Sequence, residues 1–408
     1  MKIVLILLTL LLSVSLGLSR TSTALDGLYA KNFSELRGKR IGFICNQTSR
    51  TATSDFGPDV LLKSKGINVV AFFSPEHGFA GVRKAGVTSD STEMYNGIPV
   101  YSLYGDTRKP TKKMLAGITT LVFDIQDIGV RPYTYLSTMI LAMEAAAENN
   151  IEFIVLDRPN PLGGERIEGG ILDTSLKSFV GIIPIPYIHG MTLGELAQMA
   201  RGERWFKGAE KLRLKVIKLE SWKRAMTWDR TGLKWTPPSP NIPTYESAVG
   251  CAMFGALGEL GLISVGIGSD EPFLRLGSRL AKAERMKMIL QSYLPSDVFV
   301  ELEDFTTPYL DTIKTYNGIR IVLPPISPSG EIFSAQFSFL ADLIATDTNI
   351  AKAYAATITS SKRMFDKVVG SSQLRKNIEA GIGGGLTQEW KNECKAFRTK
   401  RQKYLLYN

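Results

Sequence analysis

Histidine and cysteine are scarce in this chain, with two of the first and three of the second among 408 residues. His77 and His189 stand far apart. Neither sits in a His-x-x-Glu-His pattern and no paired-cysteine spacing occurs, so no metal centre is expected. Cys45, Cys251 and Cys394 are odd in number and unpaired in spacing. That excludes a disulfide framework and leaves three small, mostly buried hydrophobes. The Gly-x-Ser-x-Gly elbow of the serine hydrolases is missing. The glycine run at 381–385 lacks the Lys-Ser or Lys-Thr of a phosphate loop, and Gly261–Gly268 lacks Gly-x-Gly-x-x-Gly. No cofactor is expected. Beyond residue 24 no long apolar run appears, so no stable membrane anchor is expected either.

What is present begins with a leader. Lys2 is followed by an almost wholly apolar stretch from Ile3 to Leu18, then by the small residues Ser22, Thr23 and Ala24. That pattern reads as a signal peptide over 1–24 and an exported protein, periplasmic or secreted. The formal charge is +10. A basic protein favours anionic partners. Export argues against nucleic acid and for an anionic cell-wall polymer.

At 44 % hydrophobic and 22 % charged residues the chain is ordinarily globular. Its length predicts two domains. Apolar runs at 40–46, 68–74, 99–104, 119–126, 152–156 and 214–219 read as strands. Helical spacing recurs at 60–65, 133–150 and 193–201. Strands alternating with helices predict an α/β fold, a parallel sheet with helices on both faces. The proline-rich segment 236–244 cannot be helix. It marks the boundary between a domain over 25–246 and a smaller C-terminal α/β domain over 247–408. The second domain should hold a helix near 280–294, strands near 298–302 and 318–323, and helical sequence at 350–365. A basic amphipathic helix at 390–404 should pack on that same domain.

Three strands break into polar, Gly- and Pro-rich sequence: 74–79, 123–135 and 157–164. The ends of parallel strands meet at one rim, where ligands bind. Asn46, Glu76, His77, Asp127, Arg131, Tyr133, Tyr135, Asp157, Arg158, Asn160, Glu165 and Glu168 would gather there. Carboxylates, amides, arginines and tyrosines suit sugar recognition. Two carboxylates suit glycoside hydrolysis. Glu76, in a tight turn at a strand end, is the strongest general-acid candidate. Glu168 and Glu144 are further candidates. Asp124 is expected to hold loop amides rather than react.

These residues carry a resemblance. The segments SPEHGFAG, GIPVYSLYGDTRKPT, LVFDIQDIGVRPYTYLSTM, DRPNPLGG, IPYIHGMTLGELA and PPSPNIPTYES resemble the exo-β-N-acetylmuramidases of the NamZ family, most densely over about 36–250. The resemblance implies a Rossmann-like catalytic domain, a smaller auxiliary domain and a site in the cleft between them. It implies release of terminal N-acetylmuramic acid from the non-reducing end of peptidoglycan fragments, so the partner would be a muropeptide or disaccharide. Arg131, Arg158 or His77 would pair with the lactyl carboxylate. Glu76 carries over as catalytic. Glu144 and Glu168 compete for the second role. His189 and Glu259 would face substrate. The chain departs from the family pattern EGTN-S-GRGT, because Leu262 stands at the Asn position and Ile267 at the Arg position. That departure motivates two alternatives, a muropeptide-binding or sensing protein and a glycosidase with shifted sugar preference.

Overall fold

Strands buried on both faces read as continuous apolar runs, and here they form the centre of a sheet. The computed structural model describes residues 20–83, 93–309, 312–382 and 387–408. Most of the expected leader and the glycines at 383–385 lie outside the described residues.

The first half runs α1 (Ala24–Ala30), β1 (Arg40–Cys45), α2 (Gly57–Lys63), β2 (Asn68–Ser74), β3 (Glu93–Tyr95), β4 (Ile98–Ser102), β5 (Thr120–Asp124), α3 (Thr134–Glu148), β6 (Glu152–Leu156), α4 (Leu193–Gly202) and β7 (Leu214–Ile217). Its seven strands lie in the order β3-β4-β2-β1-β5-β6-β7. All neighbours are parallel except β3 with β4. The chain builds from β1 to one side through β2 and β4, then crosses to β5 on the other. That reversal opens a crevice at the carboxyl ends of β1 and β5. On one face Phe43, Phe72 and Val122 pack against Leu25, Leu28 and Leu61 from α1 and α2. On the other, Phe73, Phe123 and Phe153 pack against Met139, Met143, Leu196 and Met199 from α3 and α4.

The start of the fold reaches into the stretch 1–24 expected as a leader. Thr21 and Thr23 are buried, and Ser22 exchanges backbone hydrogen bonds with Glu220. Thr23 caps α1, accepting from the Asp26 amide, while the Asp26 carboxylate accepts from the Thr23 amide at 2.7 Å. Residues 21–24 therefore belong to the folded domain, because α1 needs its N-cap.

The second half runs α5 (Tyr245–Phe254), β8 (Arg275–Ser278), α6 (Ala283–Gln291), β9 (Phe299–Leu302), β10 (Phe305–Tyr309), β11 (Thr312–Val322), α7 (Ala335–Thr346), α8 (Thr348–Ala355), α9 (Thr359–Val369), α10 (Gln373–Glu379) and α11 (Thr387–Arg401). The long β11 pairs antiparallel with β8, β9 and β10. The helix expected over 350–365 is two, divided after Ala355. The first, α8, is capped by the Asp347 carboxylate.

The tail departs from expectation. Trp390 of α11 packs on Phe333 and Phe337 of the second domain. Phe397, one helix face further on, enters the core beneath α3 and α4. Beyond the helix, Tyr404 donates to Glu203 at 2.7 Å, the Leu406 amide to Glu195 at 2.9 Å and Tyr407 to Asp157 at 2.6 Å. The basic helix thus bridges both domains.

Candidate active site

Parallel strands aligned in register bring their following turns to one edge. Asn46 follows β1, Glu76 and His77 follow β2, Asp127 follows β5 and Asn160 follows β6. All stand at the carboxyl rim. At about 4.8 Å per strand, Glu76 and Asp127 are separated by two strand spacings, roughly 10 Å.

Tyr135, fully buried in the first turn of α3, joins these turns. Its hydroxyl accepts from the Asn46 amide at 3.0 Å and donates to the Pro238 carbonyl. Its ring meets the His77 ring edge-on at 6.5 Å and the Tyr133 ring at 4.8 Å. Burial, and then the charges of Glu76 and Asp127, push its hydroxyl well above the ordinary tyrosine range.

Glu76 is buried at the rim, and the Thr134 hydroxyl donates to its Oε2 at 2.6 Å. His77 adopts φ +68°, a conformation costly for a side-chain-bearing residue and concentrated at functional sites. Its Nδ1 lies 2.8 Å from the Arg83 carbonyl. A carbonyl can only accept, so Nδ1 carries a proton.

Asp127 is buried, and its Oδ2 accepts from the Gly129 amide at 2.7 Å. Its Oδ1 is buried without a hydrogen-bond partner. Burial pushes this carboxyl up to about 7. Gly129 makes the turn possible. Its φ is +86°, and a Cβ there would lie 2.3 Å from Asn160 Oδ1. Asn160 braces the loop, donating to the Met191 carbonyl at 3.0 Å and accepting from the Leu162 amide at 2.9 Å.

Several expected site residues serve the frame instead. Arg158 forms a bidentate pair with Asp124, 2.5 and 2.9 Å, and donates to the Arg50 carbonyl at 3.0 Å. Arg131 is fully buried and donates to the carbonyls of Gly170, Ile185, Val368 and Val369. It clamps the two domains together. Asp157 receives the Thr192 hydroxyl and Gly194 amide at the start of α4. His189 is buried, with Nδ1 accepting from the Met191 amide at 3.2 Å. Of the groups proposed for a lactyl carboxylate, Arg131 and Arg158 thus spend most of their donors on the protein frame, although Arg131 Nε is buried without a partner.

The other glutamates separate as well. Glu144 lies ten residues along α3 from Thr134, about 15 Å down the helix. It pairs with Lys109 at 2.7 Å. Burial would raise its carboxyl, but Lys109 outweighs this and holds it low. Glu144 is therefore not brought to the rim. Glu168 accepts the Ile332 and Phe333 amides at 2.8 and 2.9 Å and pairs with Arg166. It borders a cavity of about 670 Å³ between the 162–169 loop and α11. Neither Glu76, Asp127 nor Tyr135 lines that cavity, and its outer cations, Lys391, Lys395 and Arg398, are exposed. Glu165 lines it too. Glu259 is half-buried with no hydrogen bond or ion pair among the described residues, and burial raises its carboxyl. Burial, then the charges of Glu259 and Asp127, push the Cys251 thiol up to about 12.

The profile of exo-beta-N-acetylmuramidase NamZ, N-terminal, matches residues 41–246, and that of the C-terminal part matches 252–407. This chain belongs to the NamZ family. It is 36 % identical over 405 residues, 95 % of this chain and 92 % of the other, to the peptidoglycan beta-N-acetylmuramidase NamZ of Bacillus subtilis. Two crystal structures of DUF1343 family proteins from Bacteroides fragilis share the fold. One has TM-score 0.86 and 37 % identity, covering 95 % of this chain and 99 % of that one. The other has 0.75 and 29 %, covering 96 % and 99 %.

Within this NamZ member, Leu262 is buried in the core beside Leu260 and Ile263. Ile267 is 47 % exposed. An apolar side chain is thus presented to water at this position. Sequence reading passed over two contributors, Thr134 beside Glu76 and the Pro237–Pro238 carbonyls, which hold Gln47 and Tyr135. Both lie within the quoted segments. Their roles depend on contacts no spacing shows.

Proposed function

We propose that this chain is a glycoside hydrolase, an exo-β-N-acetylmuramidase that releases terminal N-acetylmuramic acid from the non-reducing end of peptidoglycan fragments. The observation that carries this reading is the convergence of Glu76, His77, Asp127 and Tyr135, from two separate chain segments, on the carboxyl rim of one sheet. Such a rim offers a buried acid, an imidazole and aromatic edges to one sugar ring. Glu76 is the general acid that protonates the leaving oxygen, worth about 10²–10⁴-fold in such reactions. The leader over residues 2–18 supports an exported protein, with the cut before Thr21. The basic surface suits an acidic wall polymer.

The test is incubation with chromogenic β-glycosides of N-acetylmuramic acid and N-acetylglucosamine. Turnover of the first alone is expected. Turnover of the second alone would shift the sugar preference, in keeping with Ile267. Turnover of neither, with measurable muropeptide binding, would make the protein a sensor and end the enzymatic reading.

A further inference from the structure

A glycosidase of this kind needs a nucleophile or base besides Glu76. Glu144 stands far from the rim and is held by Lys109. Glu168 spends one oxygen on two backbone amides and the other on Arg166. Asp127 differs from both. It sits at the topological switch, one oxygen is fixed by the Gly129 amide, and the other is buried with no partner. A buried carboxylate oxygen without a donor is costly unless a ligand supplies one. The oxygen is too enclosed to act as a freely approaching nucleophile, but it is well placed to accept a single N–H.

We propose that Asp127 Oδ1 accepts the N–H of the substrate's 2-acetamido group, so that the acetamido oxygen of N-acetylmuramic acid, and no protein side chain, attacks the anomeric carbon. This rests on the muramidase reading above. In the first step the acetamido carbonyl oxygen bonds to C1. The C1–O bond to the leaving sugar breaks with its electron pair, and that oxygen takes the Glu76 proton. The bicyclic oxazolinium keeps its N–H, now more acidic and bonded to Asp127. In the second step water gives a proton to the Glu76 carboxylate and its oxygen bonds to C1. The ring C1–O bond opens and returns its pair to the acetamido oxygen. The net change is hydrolysis with retention of configuration. The Asp127 bond strengthens as positive charge develops on the acetamide, which is stabilisation of the transition state over the ground state.

The experiment uses the full chain and two 4-nitrophenyl β-glycosides of muramic acid, one N-acetyl and one N-trifluoroacetyl. The wild-type enzyme should turn over the first with retention, and the second at least ~100-fold more slowly, because fluorine weakens the acetamido oxygen. Asp127→Asn keeps an oxygen for the Gly129 amide but offers N–H to the acetamide. It should lower kcat by about 10²–10³-fold, the scale of a lost charge-stabilising partner, with KM changed much less. Inverted product, equal rates on the two glycosides, or an Asp127→Asn enzyme within threefold of wild type would overturn the proposal while leaving the muramidase reading standing. If Asp127→Asn does not fold, the anomer and the fluorinated substrate still decide the matter in wild type. Failure of wild type to cleave the N-acetyl glycoside would instead overturn the muramidase reading, and this proposal with it.

Discussion

The Thr134 hydroxyl donates to Glu76 Oε2 across 2.6 Å, so the first residue of α3 holds the acid that follows β2. Glu76→Gln should cut kcat on a muramic acid glycoside by at least ~100-fold, the usual scale of a lost general acid. Its melting temperature should stay near that of wild type. Near-normal turnover would remove Glu76 from the chemistry.

Thr134 acts through Glu76, so its variants should move kcat more than KM. Thr134→Val removes one hydrogen bond, worth about 1 kcal/mol or roughly fivefold in rate. Thr134→Ser keeps the hydroxyl and should restore most of that loss. Equal rates in all three proteins, measured at saturating substrate, would show that the bond does not position the acid.

Arg131 should matter for stability. Its guanidinium satisfies carbonyls from both domains, including Val368 and Val369 at the end of α9. Arg131→Met would leave them unpaired and cost about 3–5 kcal/mol. Arg131→Lys should not rescue it, because an ammonium cannot reproduce the planar fork. Chemical denaturation of the two variants checks this. A loss of activity with full stability would return Arg131 to the substrate.

His189 supplies a pH dependence. Burial, then the charges of Arg401 and Arg131, push its imidazole down to about 3. An unfolded chain binds a proton there below about 6.5, while the folded chain does not until near 3. Stability should therefore fall as pH drops from 6.5, by up to ~1.4 kcal/mol per unit from this group. It should be unaffected by this group above 6.5. Asp127 and Asp157, raised by burial to about 7 and about 6, act in the opposite sense. The measurement is accordingly the difference between wild type and His189→Asn, whose amide oxygen can still accept from Met191. A difference that does not change between pH 4.5 and 7.5 would refute it.

Tyr407 should be worth more than a surface residue. Its hydroxyl donates to buried Asp157 at 2.6 Å and accepts from the Leu219 amide at 3.0 Å. Tyr407→Phe leaves both groups short and should cost about 1–3 kcal/mol. A change below a few tenths of a kcal/mol by denaturant titration would show that the tail is not part of the first domain's packing.

The parallel sheet was legible because its central strands are almost wholly apolar, and β2, β5 and β6 run into turns that carry Gly and Pro. The rim residues followed from that pattern. Arg131 and Arg158 misled because a polar residue in a loop reads the same whether it faces substrate or backbone carbonyls. Only the fold shows that Val368 lies beside residue 131. Glu144 misled for another reason: its helix begins at the rim and carries it away. The antiparallel sheet of the second domain was only partly legible. β8 is a four-residue strand, and α8 and α9 part at 356–358, where the sequence has neither proline nor glycine.

The route of the tail has a consequence for biogenesis. Residues 404–407 supply partners to Glu203, Glu195 and Asp157, which lie on the half of the chain made first. That half cannot finish packing until some 400 residues have emerged, although domains usually fold as units during synthesis. A polypeptide built this way stays loose through nearly all of its synthesis, and locks only when its last residues arrive.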